Sequence, residues 1–295
     1  MKKLMFALVA AGAAAFMVKG EVESANVVGY TTVTFAAGDR YVICGIPFDN
    51  TADAEGLSIQ DLVPDPLNNG WTGGLNANSA DTIQFWANGQ YVSLYLYNST
   101  LTASTFVARR GKWINPASAL LPDSSWGSGG QISALKLKPG MSFWIRRAPG
   151  TETDAKTVTL SGQVVTSSAN ATHTVVNGYN LFTSGYTGGF ALNNGYIDWM
   201  ALGAVGGLNA NSADSIQFWN NGQYVTLYLY NSTLTASTFV ARRGKWINPA
   251  SALLPDSSWG SGGQISTKVV QPGEGFWYRH RGEGFTFTEN KPYDL

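Results

Sequence analysis

Two segments of this sequence alternate aromatic with polar side chains, a combination that suits the binding of sugars. Flat aromatic rings pack against the C–H faces of sugars, and amide and hydroxyl groups make directional hydrogen bonds to sugar hydroxyls. The alternative is that a second sheet or a neighbouring module covers these rings and makes them core residues. The candidate ligand-binding residues are one tryptophan, two tyrosines and one glutamine in each segment: Trp86, Tyr91, Tyr95 and Gln84 in the first, and Trp219, Tyr224, Tyr228 and Gln217 in the second.

A predicted hairpin positions the first set of these side chains. Asn88-Gly89 lies between two alternating runs, 81–86 and 90–97. Asn-Gly favours a two-residue type I′ turn because both turn positions need positive φ. Pairing outward from this turn places Trp86 opposite Tyr91 and puts both rings on one face. The other face collects apolar side chains and is predicted to face a core: Ile83, Phe85, Val92, Leu94 and Leu96.

The hairpin is part of a duplicated segment. Residues 73–133 recur as residues 206–266 with only three substitutions. Self-similarity at this spacing is the mark of an internal repeat. We therefore expect a signal peptide at 1–20, a first β module at 21–160 and a second β module at 161–295.

Further short strands are predicted on both sides of the hairpin, and no window of a dozen residues shows a helical period. Many short strands joined by tight turns predict an all-β fold. The pattern leaves open whether each module is a β-sandwich or a small β-barrel. In the first module the additional strands are expected at 27–35, 41–48, 105–109, 112–115 and 141–147.

The N-terminus has the layout of a secretory signal peptide. Two lysines precede an apolar run from Leu4 to Val18, and Lys19-Gly20 follows it. Cleavage after Gly20 leaves 16 basic and 19 acidic residues, so the mature chain offers no electrostatic attraction for nucleic acid. No later apolar stretch has the length of a membrane span. We expect an extracytoplasmic protein that is secreted, periplasmic or held at the cell surface.

The sequence offers little for catalysis, cofactors or metals. A single cysteine, Cys44, excludes an intrachain disulfide framework, and His173 and His280 lie in non-equivalent flanks outside any metal-binding spacing. A carboxylate pair such as Asp81 with Asp123 would need the right geometry to cleave a glycoside. The sequence therefore predicts no enzyme activity, no catalytic or metal-binding residues and no cofactor.

Two short motifs carry a resemblance to a family. Residues 24–30 read Ser-Ala-Asn-Val-Val-Gly-Tyr, and a Pro-Gly-x-x-Phe-Trp motif occurs at 139–144 and again at 272–277. In these features the chain resembles exported tandem β-module proteins of Verrucomicrobia-, Lentisphaerae- and Planctomycetes-type bacteria. No activity or site residue is assigned to that family. The resemblance implies a bacterial, extracytoplasmic setting.

These observations predict a non-catalytic secreted or cell-surface β-repeat protein with an adhesive or structural role in the envelope or extracellular matrix. The alternatives are a carbohydrate-binding protein that uses the aromatic hairpin faces, and a secreted hydrolase. The expected partners are a glycan or another envelope component. Unpaired edge strands also allow self-association of the chain.

Overall fold

The structure is a computed structural model that describes residues 28–49, 53, 55–87, 89–117, 120–165, 170–220, 222–250 and 254–292. The expected signal peptide and the turn residue Asn88 lie outside the described residues. We call residues 28–165 the N-terminal half and residues 170–292 the C-terminal half.

The described chain is built almost entirely from β-strands, which confirms the predicted all-β class. The strands of the N-terminal half are β1 (Val28–Phe35), β2 (Tyr41–Gly45), β3 (Phe48–Asp49), β4 (Leu57–Ser58), β5 (Thr82–Ala87), β6 (Gln90–Leu96), β7 (Trp113–Ile114), β8 (Lys136–Leu137), β9 (Ser142–Arg146) and β10 (Lys156–Val164). The strands of the C-terminal half are β11 (Ala171–Val175), β12 (Gly178–Phe182), β13 (Phe190–Ala191), β14 (Ser215–Asn220), β15 (Gln223–Leu229), β16 (Trp246–Ile247), β17 (Val269–Val270), β18 (Phe276–His280) and β19 (Phe285–Glu289).

The helices are short. They are α1 (Ser104–Arg109), α2 (Trp199–Leu202), α3 (Ser237–Val240) and the 3₁₀ turns Ser124–Trp126 and Ser257–Trp259. Within the described ranges, no helix is long and apolar enough to cross a membrane.

Each half contains one five-stranded antiparallel sheet, and the two sheets have the same topology. The strand orders are β2-β9-β5-β6-β7 and β12-β18-β14-β15-β16. The first and last strands of each sheet do not pair with each other. In the described part of the chain, both sheets are therefore open and neither closes into a barrel. The smaller sheets are β1-β10-β3, β4-β8, β11-β19 and β13-β17.

The predicted hairpin register is confirmed. Trp86 pairs with Tyr91 and Ala87 with Gln90, and the C-terminal half repeats this with Trp219 opposite Tyr224. Gly89 has a φ of 77°, the positive value that the two-residue turn requires. The turn and the alternation of side chains therefore fix which residues share a face.

Two large apolar clusters lie on the inner faces of the five-stranded sheets. The first draws on residues between Val33 and Leu160, and the second on residues between Val175 and Phe287. The predicted core face of the first hairpin is buried, with Ile83 and Leu94 both 0% exposed. The smaller sheets supply the opposing apolar layer, for example Phe35 from β1 and Phe48 from β3. Each half thus has its own core.

The strand predicted at 105–109 is wrong, because this segment forms α1. The amides of Phe106 and Val107 both donate to the carbonyl of Ala103, and the helix buries none of its side chains. β-branched residues such as Thr105 and Val107 stabilise a strand only when it pairs and packs on a sheet. Residues 104–109 pair with no described strand, so local hydrogen bonds decide their structure.

Strand β10 runs through the expected module boundary at 160/161. Ser161, Gly162 and Gln163 continue the pairing with β1 as far as Val28. The N-terminal half therefore includes all of β10, and the next strand, β11, begins at Ala171.

Candidate functional site: an aromatic trough between the two sheets

The outer faces of the two five-stranded sheets meet each other. A third apolar cluster has Ile43, Trp144 and Trp277 at its centre, so it draws on both halves. Trp86 and Trp219, from the two hairpins, are partly buried against it. A neighbouring sheet therefore covers part of the aromatic face. Coverage by a second sheet was the alternative to sugar binding that the sequence left open.

Perpendicular ring contacts join the halves reciprocally. The ring of Trp86 lies 5.5 Å from that of Trp277 at an interplanar angle of 86°, and the ring of Trp144 lies 5.4 Å from that of Trp219 at 76°. Edge-to-face arrangements of this kind are favourable because the positive ring edge meets the negative ring face. Each hairpin tryptophan thus packs on a tryptophan of the other half.

Backbone contacts fix the relative position of the halves. The amide of Gly45 donates to the carbonyl of Gly273 over 2.9 Å, and the indole Nε1 of Trp219 donates to the carbonyl of Tyr41 over 3.1 Å. A side chain at Gly45 would clash with Thr183 of the other half. A main-chain hydrogen bond, an indole-to-carbonyl hydrogen bond and the close approach at a glycine indicate a specific interface.

Two cavities open along this interface. We call the first, of about 280 Å³, the central cavity, and the second, of about 350 Å³, the Tyr41 cavity. Together they form the aromatic trough. The central cavity is lined by Trp86, Tyr91, Tyr179, Gln217, Tyr224 and Trp277. The Tyr41 cavity is lined by Tyr41, Gln84, Tyr91, Trp144, Trp219 and Tyr224.

Exchanging the two halves converts the lining of one cavity into that of the other. Tyr41 pairs with Arg146 as Tyr179 pairs with Arg279, and the glutamine and tryptophan pairs match in the same way. Each cavity therefore has two tryptophans, three tyrosines and one glutamine. Tyr91 lines both cavities, as does Tyr224.

Six of the eight candidate residues of the sequence line the trough. Tyr95 and Tyr228 do not line either cavity; they are half-buried at the far end of the hairpins, opposite Thr82 and Ser215. The sequence reasoning missed four lining residues that come from other strands: Tyr41, Trp144, Tyr179 and Trp277. Trp144 and Trp277 were visible as the last residues of the repeated Pro-Gly-x-x-Phe-Trp motif.

The tyrosines of the trough are partly open to solvent. Tyr91 is 47% exposed and Tyr224 45%. Burial of the rest of each ring is the main cause that raises the pKa of both phenols above the ordinary value, and the nearby Tyr224 hydroxyl also raises the pKa of Tyr91. Both side chains are therefore neutral hydrogen-bonding groups at ordinary pH.

A third cavity of about 490 Å³ adjoins the central cavity, and we call it the Asn177 cavity. It shares Trp86 and Tyr179 with the central cavity. Its other lining residues come from the tip of the first hairpin and from β11, β12 and the loop between them: Gly89, Thr174, Val176, Asn177, Asn180, Leu181 and Phe182.

The repeated Asp81 is a structural residue of the first sheet. It is 1% exposed and accepts hydrogen bonds from the amides of Thr72 (2.8 Å) and Ala148 (2.7 Å). Lys156 makes an ion pair with it. Asp123, the other carboxylate considered for glycoside cleavage, is exposed and caps a 3₁₀ turn. Each carboxylate thus makes hydrogen bonds within the fold that account for its position.

Asp214 has the same place in the second half but a different counter-group. Its carboxylate accepts bonds from the hydroxyl of Tyr278 (2.7 Å), from Nδ1 of His280 (2.8 Å) and from the amides of Val205 and Arg281. Burial, with the neighbouring carboxylate, raises the pKa of Tyr278 far above its ordinary value. These bonds hold β18 against the start of β14.

The other histidine, His173, is buried beside Glu289. Its Nε2 lies 3.0 Å from Oε2 of Glu289, and the hydroxyl of Ser184 donates to Oε1 of the same carboxylate. The serine bonds to the carboxylate and not to the imidazole, so the three side chains are not in the serine–histidine–carboxylate order of a hydrolase triad. This cluster therefore has the geometry of a structural network.

No group of three or more metal-ligating side chains converges in the part of the chain that the structure describes. In comparisons with protein-family models, curated proteins and solved structures, the chain has no significant match.

Proposed function

We propose that this protein is a non-catalytic, exported binding protein that retains neutral glycans in the aromatic trough. The observation that carries this proposal is the pair of equivalent cavities, each lined by five aromatic rings and one glutamine. Tryptophan and tyrosine rings offer faces for the C–H surfaces of sugars, and the glutamine amide and tyrosine hydroxyls offer donors and acceptors for sugar hydroxyls.

The absence of charge in the trough favours a neutral ligand. Among the described residues, no acidic or basic side chain lines either aromatic cavity. A charged ligand placed there would lose its hydration, and no lining side chain would serve as its counter-ion. Neutral polysaccharides meet the chemistry of the trough better than acidic glycans do.

The expected setting is outside the cytoplasm. The signal-peptide layout of residues 1–20 supports export, and the near-zero net charge gives no general attraction to nucleic acid. A protein that adheres to polysaccharide at the cell surface or in the extracellular matrix combines this setting with the trough.

A structural role in the envelope through self-association is the second candidate. Each half exposes three apolar side chains at equivalent positions, with exposures of 46–59%. Repeated exposed apolar groups favour contact with another copy of the chain or with an envelope component. They are Leu75, Leu101 and Val107 in the first half, and Leu208, Leu234 and Val240 in the second.

Retention on insoluble polysaccharide tests the proposal. The mature chain, residues 21–295, is expected to bind at least one of cellulose, xylan, mannan and starch, equally at low and high salt. Because Tyr91 and Tyr224 each line both cavities, replacing both with alanine removes two rings from each cavity and should weaken binding roughly 30-fold or more, as expected for loss of central aromatic contacts. Affinity is measured by depletion of the protein from solution.

Tyr30→Ala is the matched control, since Tyr30 is 71% exposed on β1 and lines neither cavity. Its affinity should equal that of the wild type, and thermal unfolding should show that both variants are folded. Retention that is unchanged in the folded double variant contradicts the proposal. No retention, with concentration-dependent self-association, favours the structural role instead.

Binding is expected to be independent of pH over the neutral range. The pKa values of Tyr91 and Tyr224 are raised, so both phenols stay protonated up to at least the ordinary tyrosine value of about 10. Retention should be constant from about pH 5 to pH 9 and should fall only above about pH 10, when phenolates form in the trough. If retention instead fell or rose with a midpoint near pH 6 or 7, the tyrosine hydroxyls would not be the titrating groups of the site, which would contradict the proposal.

A further inference from the structure

We infer that the trough and the adjoining Asn177 cavity together bind a linear oligosaccharide of at least three sugar residues, in one direction, and not a single terminal sugar. This inference rests on the proposed function and specifies the ligand of the same site. It is drawn from the order of the three cavities and from the different chemistry at the two ends of the row.

The order of the cavities follows from the residues that they share. The Tyr41 cavity and the central cavity share Tyr91 and Tyr224, and the central cavity and the Asn177 cavity share Trp86 and Tyr179. The two outer cavities have no common lining residue among those described. The central cavity therefore adjoins both of the others, and the three form a row.

Each cavity has room for at least one sugar residue. Their volumes are about 350, 280 and 490 Å³, within or near the range of small-ligand sites. A sugar that fills only the central cavity leaves the aromatic side chains of the two outer cavities in contact with water. A ligand of three or more linked sugars covers the whole row, so affinity should grow with chain length until the row is full.

The two ends of the row differ. Asn177 is exposed in the loop after β11, and its Nδ2 donates to the carbonyl of Gly282 over 2.9 Å, which anchors an amide that has further hydrogen-bonding groups. At the other end, the guanidinium of Arg40 lies 5.8 Å from the ring centroid of Tyr41 and pairs with Glu152 at 3.7 Å. The guanidinium of Arg279 lies 5.5 Å from the ring centroid of Tyr179, so a cation–π contact is present at both ends.

The difference between the ends sets the direction of the chain. The two aromatic cavities are equivalent under exchange of the halves, so by themselves they accept a glycan in either direction. Guanidinium groups lie over both Tyr41 and Tyr179, so charge does not distinguish the ends; the exposed amide of Asn177, in the loop between β11 and β12, removes the equivalence. A sugar chain, whose two ends differ chemically, should therefore bind in one direction.

The test uses oligosaccharides of one to six residues prepared from whichever of cellulose, xylan, mannan and starch the mature chain retains. Calorimetric affinity is expected to increase at least tenfold from one to three residues and then to level off, at one oligosaccharide per chain. Asn177→Ala should weaken binding of the trisaccharide about fivefold, the effect of losing one hydrogen bond. Asn170→Ala is the matched control and should have no effect: Asn170 is also exposed, and its side chain donates to Asn290 and accepts from the amide of Lys291.

The outcomes separate this inference from the proposed function. Equal affinity for one and three residues, or wild-type trisaccharide affinity in a folded Asn177→Ala protein, overturns the extended site and leaves glycan binding intact. Two oligosaccharides per chain also overturns it. No retention on any of the four polysaccharides removes the proposed function, and the extended site with it.

Discussion

Replacing Trp277 with alanine is expected to lower the free energy of unfolding by about 3–5 kcal/mol, the usual effect of removing a buried tryptophan. Trp277 is 5% exposed and is in the cluster that joins the halves. Its ring has perpendicular neighbours in Trp86 at 5.5 Å and Tyr179 at 5.9 Å. Alanine would leave a cavity between two sheets whose backbones are held in place by hydrogen bonds.

The equivalence of the halves sharpens this prediction. Trp144, which is 6% exposed, holds the matching position in β9, so Trp144→Ala should destabilise the protein by a similar amount. Tyr30→Ala is the control, and a surface change of this kind should alter stability by less than about 0.5 kcal/mol. Denaturant unfolding measures all three. A change below about 1 kcal/mol for both tryptophans would mean that the sheets do not pack on each other in solution.

Asp214→Ala is the second change with a large expected effect, a loss of about 3–5 kcal/mol in the free energy of unfolding. The carboxylate is 0% exposed and accepts bonds from Tyr278, His280 and two main-chain amides. All of these donors would be left inside the protein without a partner. Burial of unpaired polar groups is the reason for the large effect.

Asp81→Ala should be similarly destabilising, although the partner of this carboxylate is a lysine. The substitution leaves the ammonium of Lys156, which is only 11% exposed, without a carboxylate partner. Asp256→Ala is the control, because this exposed carboxylate caps a 3₁₀ turn, and its loss should have a much smaller effect. Equal unfolding midpoints for the Asp214, Asp81 and Asp256 variants would contradict a structural role for the two buried carboxylates, Asp81 and Asp214.

The hairpins could be predicted because their determinants are local. Asn88-Gly89 sets the turn and the alternation of apolar residues sets the buried face, so the pairing of Trp86 with Tyr91 follows from sequence alone. The same local rules failed for Ser104–Arg109, whose β-branched residues suggested a strand. Whether such a segment pairs depends on its neighbours in space, and the sequence does not give them.

Six of the ten residues that line the trough could be predicted, and the other four depend on long-range pairing. Trp144 lies beside Gln84 because β9 pairs with β5, a strand about 60 residues earlier in the chain. Tyr41 joins them through the pairing of β2 with β9. The cavities also need the two sheets to face each other, and that contact joins Trp86 to Trp277. No local pattern specifies this contact.

A crystal structure of the mature chain with a bound oligosaccharide is the most direct measurement. The ligand is a tetrasaccharide from the polysaccharide that is retained most strongly. We expect sugar rings in the trough, in van der Waals contact with Tyr91 and Tyr224 and hydrogen-bonded to Gln84 or Gln217. The rest of the oligosaccharide should continue towards Asn177. A sugar bound on another surface, with the trough empty or filled by side chains of a second copy, would contradict glycan binding at this site.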